Sequence, residues 1–157
     1  MARFAIRPMT AADAGEIAAW RYPEPYDFYD SDRDADDLAE LLDPSEWGRR
    51  YFAADGADGR LAGFFVFKVA GDEAEIGLGL RPDLTGAGRG AAFLDAGLRY
   101  AAERFGARRF ALAVAAFNAR AITVYERAGF RAVERYDHET NGGVHPFVRM
   151  TRGPLGG

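Results

Sequence analysis

Leu80-Arg81-Pro82-Asp83-Leu84-Thr85-Gly86-Ala87-Gly88-Arg89-Gly90-Ala91 is the stretch on which the fold turns. It joins a strand-like run, Glu73 to Leu80, to a segment that carries Leu94, Leu98, Ala101 and Phe105 at helical spacing. Gly86, Gly88 and Gly90 stand at alternate positions between them. Backbone amides at such a turn, with the positive end of the helix dipole behind them, can hold a pyrophosphate, and glycine lets the phosphate approach the main chain. A tight connection without a ligand is the competing reading. The letters also fit the dinucleotide fingerprint Gly-x-Gly-x-x-Gly/Ala through Gly86, Gly88 and Ala91. That fold needs an acidic residue about 20 positions on to hold the ribose, and the next strand, Arg109 to Phe117, has none. It also places the fingerprint after the first strand of a parallel sheet, whereas here an antiparallel run precedes it. Both context tests fail.

Working outward, Phe4 to Arg7 reads as a short strand, and Thr10-Ala11-Ala12-Asp13 as a capping box opening a helix with Ile17 and Trp20 on one side. That helix ends by Pro23. Tyr22 to Asp37 is a loop or broken helix. Leu38, Leu41 and Leu42 suggest a short second helix stopped by Pro44. Arg50 to Ala54, Leu61 to Ala70 and Glu73 to Leu80 form an antiparallel meander through Gly-Ala-Asp-Gly and Gly71-Asp72 turns. A helix from about Gly90 to Phe105 and a buried strand from Arg109 to Ala116 come next. Then follows a helix from Ala119 to Ala128, with Asn118 as N-cap and Gly129 as its left-handed end. Arg131 to His138 and Val144 to Met150 form a last hairpin around Asn141-Gly142-Gly143, in which Pro146 has to occupy an unpaired backbone position.

The 157 residues, 48% hydrophobic and 28% charged with a net charge of −4, suit one domain, residues 1–152, with 153–157 as a flexible tail. No run reaches the ~18 apolar residues of a membrane span, and Met1-Ala2-Arg3-Phe4 lacks the apolar run of a signal peptide, so the expectation is a cytoplasmic protein. With no cysteine there is no thiol nucleophile, zinc finger or redox pair. Ser31 and Ser45, the only serines, lie outside any Gly-x-Ser-x-Gly setting, which disfavours an acyl-serine hydrolase. Lys68, the only lysine, follows a strand and ends no P-loop. The acidic balance argues against nucleic acid. His138 and His145 are too few and too far apart for a metal site, and surface or packing roles suit them better.

A second constellation follows the glycine turn. In Asn118-Ala119-Arg120-Ala121-Ile122-Thr123-Val124-Tyr125-Glu126-Arg127-Ala128-Gly129-Phe130, Asn118 and Tyr125 are seven residues apart on one helix. Their side chains therefore differ by about 20° around the axis and about 10 Å along it, so both can address one extended ligand. A helix cap plus an ordinary half-buried tyrosine is the alternative.

Together the two segments resemble the GNAT superfamily of acyl-CoA-dependent N-acetyltransferases, most strongly over residues 75 to 130. The family's Gln/Arg-x-x-Gly-x-Gly/Ala loop corresponds to Thr85-Gly86-Ala87-Gly88-Arg89-Gly90, with Thr85 departing at the first position. Its Asn-x-x-Ala-x-x-x-Tyr-x-x-x-Gly-Phe stretch corresponds to Asn118, Ala121, Tyr125, Gly129 and Phe130.

The resemblance implies an α/β (α+β) fold with a mixed, mostly antiparallel sheet of about seven strands and about four helices. It implies that the backbone of Leu78, Gly79 and Leu80 flanks the pantetheine of acetyl-CoA in a strand with a bulge, which Gly77 and Gly79 make plausible. It further implies that Gly86, Ala87, Gly88, Arg89, Gly90 and Ala91 hold the pyrophosphate, that Asn118 contacts the pantetheine arm, and that Tyr125 faces the sulfur. Arg89 and Arg120, near helix starts, are weaker phosphate candidates. Dimers are common among such proteins, so a homodimer fits as well.

Acetyl transfer to an amine of pKa ~10.4 needs a base. Glu75, on the strand before the glycine turn, is the first candidate, with a solvated strand carboxylate as the competing role. Family members often carry a glutamate on the strand before Asn118, where this chain has Ala111, Ala113 and Ala115. A tyrosine of pKa ~10 is a weaker acid than a thiol of ~8.5, so Tyr125 suits hydrogen bonding to the thiolate better than full proton donation. Tyr22, Tyr26, Phe28 and Tyr29, interleaved with aspartates, are candidates for a cationic amine pocket, or else form an aromatic loop packed on the core. The expected activity is direct transfer of acetyl from acetyl-CoA to a primary amine of a small molecule or peptide, without a metal. A non-catalytic acyl-CoA-binding sensor is the alternative, and a nicotinamide oxidoreductase comes third.

Overall fold

Thr10 opens the first helix with a reciprocal cap: its hydroxyl accepts from the Asp13 amide at 3.3 Å, and the Asp13 carboxylate accepts from the Thr10 amide at 2.9 Å. Asp13 also takes two hydrogen bonds from Arg7, at 2.6 and 3.0 Å, and Arg7 reaches Asp55 at 2.8 Å, which ties this helix to the first two strands of the sheet. The computed structural model describes residues 3–86 and 88–156. Along the chain run β1 (Ala5–Pro8), α1 (Ala11–Ala19), two 3-10 turns (Tyr26–Tyr29 and Ser31–Arg33), α2 (Ala35–Leu41), β2 (Tyr51–Asp55), β3 (Leu61–Ala70) and β4 (Glu73–Leu80). A 3-10 turn at Pro82–Leu84 leads to α3 (Gly90–Phe105), followed by β5 (Arg109–Ala115), α4 (Ala119–Arg127), β6 (Arg131–Thr140) and β7 (Gly143–Arg152).

The strands form one sheet in the order β1-β2-β3-β4-β5-β7-β6, antiparallel at every junction except β4 with β5. The expected mixed, mostly antiparallel seven-stranded sheet with four α-helices is what forms. The sheet is a middle layer with a core on each face. On one face Phe93, Leu94, Leu98 and Ala101 of α3 pack on Phe52, Phe65, Phe67, Ile76 and Leu112, and Tyr125 of α4 packs at the margin. On the other, Ala14 and Ile17 of α1 and Leu41 of α2 pack with Tyr51, Ala53, Phe64 and Val66.

Two glycines seat α3. The Phe93 ring lies over Gly63 of β3, where a Cβ would come within 2.5 Å of it, and Phe65 of β3 lies under Gly97 of α3, where a Cβ would come within 2.3 Å. Phe65 and Phe93 stack at 4.3 Å between them. This reciprocal fit fixes the height of α3 on the sheet, and with it the glycine turn that feeds the helix.

The last hairpin is longer than its sequence pattern suggests. Asn141 (φ 54°) and Gly142 (φ 75°) make a two-residue turn in which both residues are left-handed, so the ladder continues out to Thr140 and Gly143. Pro146 accepts from the Ala116 amide at 2.9 Å, one residue past the end of β5, so its missing N–H falls where the ladder has stopped. Leu155, assigned from sequence to a flexible tail, is half-buried against the α3 core, because its apolar side chain finds a place beside that cluster.

Candidate active site

The sheet has a gap in its middle. β4 and β5 pair only at Glu73↔Arg109, Ala74↔Phe110 and Glu75↔Ala111, then part company. β4 keeps an unbroken register with β3 from Glu73 to Leu80. The bulge expected in β4 is therefore absent, and the opening comes from divergence of the two central strands. Gly79 serves a different need: a Cβ there would sit 2.4 Å from the ring of Phe64, its cross-strand partner.

Hydrogen-bonding parity identifies the groups that line the gap. Arg81 donates to Ala62 O on β3, so in this ladder the odd residues of β4 bond to β3 and the even ones point away. Asp72 O accepts from Arg108 and Arg109 on the β5 side, in agreement. Past the last pair, whose bridge takes in the Ile76 amide, the main chains of Leu78 and Leu80 therefore face the gap. Of the three residues expected to offer main-chain groups there, Leu78 and Leu80 do so, whereas Gly79 is bonded to β3. On β5, Arg109 donates toward β4 and Ala116 toward β7, so Ala113 and Ala115 face the gap from the other side.

Two tyrosines from the segment between α1 and α2 cap these walls. Tyr22 donates to Leu80 O at 2.6 Å. Tyr29 accepts from the Ala115 amide and from Asn118 Nδ2, each at 3.3 Å. Burial, and then the nearby Asp30 carboxylate, push the Tyr22 phenol well above its ordinary value, so it is a neutral donor.

At the mouth of the gap, Gly86 (φ 77°) and Gly88 (φ 75°) hold left-handed backbone that a side chain would strain. Gly90 begins α3, Arg89 precedes it without a side-chain cap, and Ala91 is exposed in its first turn. Ala87 lies outside the described residues. The Arg120 guanidinium lies against this turn, with Nη1 3.4 Å from where a Gly86 Cβ would be, and stacks 4.2 Å over the Tyr26 ring. Asn118, 8% exposed, caps α4 by accepting from the Ala121 amide at 3.1 Å while its Nδ2 reaches Tyr29. Tyr125, two turns on, is pushed well above the ordinary phenol range, first by burial and then by the neighbouring Tyr29.

Glu75 stands in the last β4–β5 pair, where the gap begins. Ala74 and Ile76 belong to the α3 core, so alternation turns Glu75 to the opposite, α1/α2 face. Partial burial raises the Tyr136 phenol of β6, and the Glu75 carboxylate adds to that effect across the sheet surface. Glu75 and Tyr125 thus belong to opposite faces of the sheet, with the gap between them.

Three of the four aromatic candidates for an acceptor pocket gather on Phe117, with ring centroids at 6.3 Å for Tyr26, 5.6 Å for Phe28 and 6.0 Å for Tyr29, whereas Tyr22 reaches Leu80 O. Tyr22 and Tyr29 turn their hydroxyls to the gap, and Tyr26 stacks on Arg120. Phe28 packs edge-on against His145 at 4.9 Å and lines an open cavity of about 320 Å³ with Glu24, Pro25, Asp27, Arg33 and Phe117. His138 packs edge-on against Phe147 at 4.9 Å, so both histidines do packing work. The links from Tyr22 to Leu80 and from Tyr29 to Asn118 span 58 and 89 residues, and no local pattern announces them.

A model of the acetyltransferase (GNAT) domain matches residues 3–131. The chain belongs to the GNAT acetyltransferase family. Among solved structures, this GNAT chain resembles the spermidine N-acetyltransferase of Vibrio cholerae in complex with CoA and spermine, with a TM-score of 0.77, 20% identity, and coverage of 96% of this chain and 95% of that one. A GNAT-family acetyltransferase from Bacillus anthracis gives a TM-score of 0.74 at 18% identity, with coverage of 96% and 95%. Among curated relatives, mycothiol acetyltransferase of Clavibacter sepedonicus is 49% identical over 79 residues, which is 50% of this chain and 26% of that protein. The matched part is thus about a quarter of the length of that relative.

Proposed function

We propose that this GNAT domain transfers an acetyl group from acetyl-CoA to a primary amine by direct attack across the β4–β5 gap. The observation that carries the reading is the gap itself: the main chain of Leu78 faces it beyond the last ladder pair, the glycine turn and Arg120 stand at its mouth, and a carboxylate and a buried phenol flank it from opposite faces. These features suit acetyl-CoA. Main-chain amides match the pantetheine amides, left-handed glycines and a guanidinium match a pyrophosphate, and acetyl-CoA supplies an acyl group already activated as a thioester.

In this reading the amine enters on the α1/α2 face, and Glu75 receives, directly or through water, the proton the amine must shed. Tyr125, neutral across the working pH range, donates a hydrogen bond to the sulfur as the C–S bond breaks and its electron pair moves onto sulfur. The amide of Leu78 is the donor for the acyl oxygen, Asn118 contacts the pantetheine arm, and Arg120 pairs with phosphate. Glu24 near Phe28 and Phe117, with Asp27 paired to Arg33 at 3.6 Å, favours a cationic acceptor, in keeping with the amine substrate in the name of the Vibrio enzyme.

The test is release of free CoA from acetyl-CoA with a panel of polyamines, amino acids and peptides, using wild type and Glu75→Gln. At least one amine is expected to drive release, with kcat lowered by about 10²-fold or more in the variant. Binding of acetyl-CoA without release by any amine would favour the sensor, and a wild-type kcat in the variant would remove Glu75 from the mechanism.

A further inference from the structure

We propose that Tyr22 and Tyr29 are positioning residues that together brace the two walls of the β4–β5 gap at a fixed separation, so that an acyl-CoA arm enters a preformed slot. The inference rests on the acyl-CoA reading above. Beyond the pair Glu75↔Ala111 no ladder sets the distance between β4 and β5. Facing strands with unpaired main-chain groups tend to pair with each other, which would close the gap. One hydroxyl is fixed on each wall, Tyr22 on Leu80 O and Tyr29 on the Ala115 amide and Asn118 Nδ2.

The strut between them is stiff. The Tyr22 amide donates to the Asp30 carboxylate at 2.9 Å and closes the segment on itself, while turn bonds from Tyr26 to Pro23 O at 2.7 Å and from Asp30 to Asp27 O at 3.0 Å hold its interior. It is anchored from outside as well. Asn141 of the β6–β7 turn donates to Phe28 O at 2.8 Å, and Arg120 stacks on Tyr26. Because Tyr22 already occupies Leu80 O, the ligand amides are left with Leu78 on that wall.

Calorimetric titration of acetyl-CoA into wild type, Tyr22→Phe, Tyr29→Phe and the double variant tests the brace. Tyr51→Phe is the control: it loses a buried hydroxyl contact, to Glu40 at 3.3 Å, away from the gap. Each single change at the gap is expected to weaken binding by about 5-fold, the scale of one hydrogen bond. The double variant should weaken it by less than the product of the two, because either loss already frees the slot. Tyr51→Phe should lower the melting temperature and leave Kd unchanged. Wild-type Kd in both single variants would overturn the brace, and losses that multiply would assign two independent contacts and overturn it too. No binding of acetyl-CoA by wild type would overturn the acyl-CoA reading, and the brace with it.

Discussion

The Asn118 side chain joins two parts of the site: its Oδ1 accepts from the Ala121 amide at 3.1 Å while its Nδ2 donates to the Tyr29 hydroxyl at 3.3 Å. One amide thus caps α4 and secures the strut over the gap. Asn118→Asp separates the two roles, since a carboxylate still caps the helix but cannot donate to Tyr29. The variant is expected to melt within a few degrees of wild type and to bind acetyl-CoA several-fold more weakly. Asn118→Ala should lose about 1 kcal/mol of stability as well. Thermal melts and calorimetry on both variants check this; equal affinity in wild type and Asn118→Asp would detach Asn118 from the ligand.

Tyr125 is held protonated by burial and by its neighbour Tyr29, so it serves as a donor over the whole neutral range. Tyr125→Phe is expected to lower kcat by about 10²-fold, the scale of one lost donor at a developing anion, with acetyl-CoA affinity nearly unchanged. Because the phenol's pKa is raised, no alkaline limb below pH ~10 belongs to Tyr125. Any such limb in wild type should persist in the variant at its reduced rate.

Glycines with different surroundings should respond with opposite signs. At Gly97 a Cβ would meet the Phe65 ring at 2.3 Å, so Gly97→Ala is expected to destabilise by about 1–3 kcal/mol. Gly15, inside α1, has nothing within 4 Å of its would-be Cβ, so Gly15→Ala should stabilise by about 0.5–1 kcal/mol. Urea denaturation of the two variants reads both signs directly.

Burial pulls the Asp13 carboxyl upward, but hydrogen bonds from Arg7 and Thr10 outweigh it and hold the group below its ordinary value. A depressed carboxyl stabilises the fold fully above its unfolded value of ~3.9 and loses that contribution as pH falls through the folded value. Asp13→Asn should therefore cost about 1–2 kcal/mol at pH 7, and the gap to wild type should close below pH ~4. A gap that stays constant from pH 7 to pH 3 would assign it to packing.

Elements built from local signals were legible in the sequence. The Thr10–Asp13 capping box, the limits of β3, β4 and α3, and the Asn141-Gly142 turn all follow from residues close together in the chain. Gly63 and Gly97 passed unremarked because their reason is a ring from a different element, Phe93 in one case and Phe65 in the other. Gly79 drew attention for a bulge that does not form, its neighbour Phe64 being invisible to a local pattern. The aromatic residues between α1 and α2 read as one group, and Tyr26, Phe28 and Tyr29 do gather on Phe117, a residue far along the chain that no local pattern pairs with them, while Tyr22 leaves the group for Leu80 O.

The central claim is that the gap between β4 and β5 takes acyl-CoA. Thermal unfolding with acetyl-CoA or NADH, each in large excess, tests it most directly. At a ligand concentration 100 times Kd, acetyl-CoA is expected to add about 2.7 kcal/mol of stability, with NADH leaving the melting temperature unchanged. Stabilisation by NADH without any by acetyl-CoA would contradict the account.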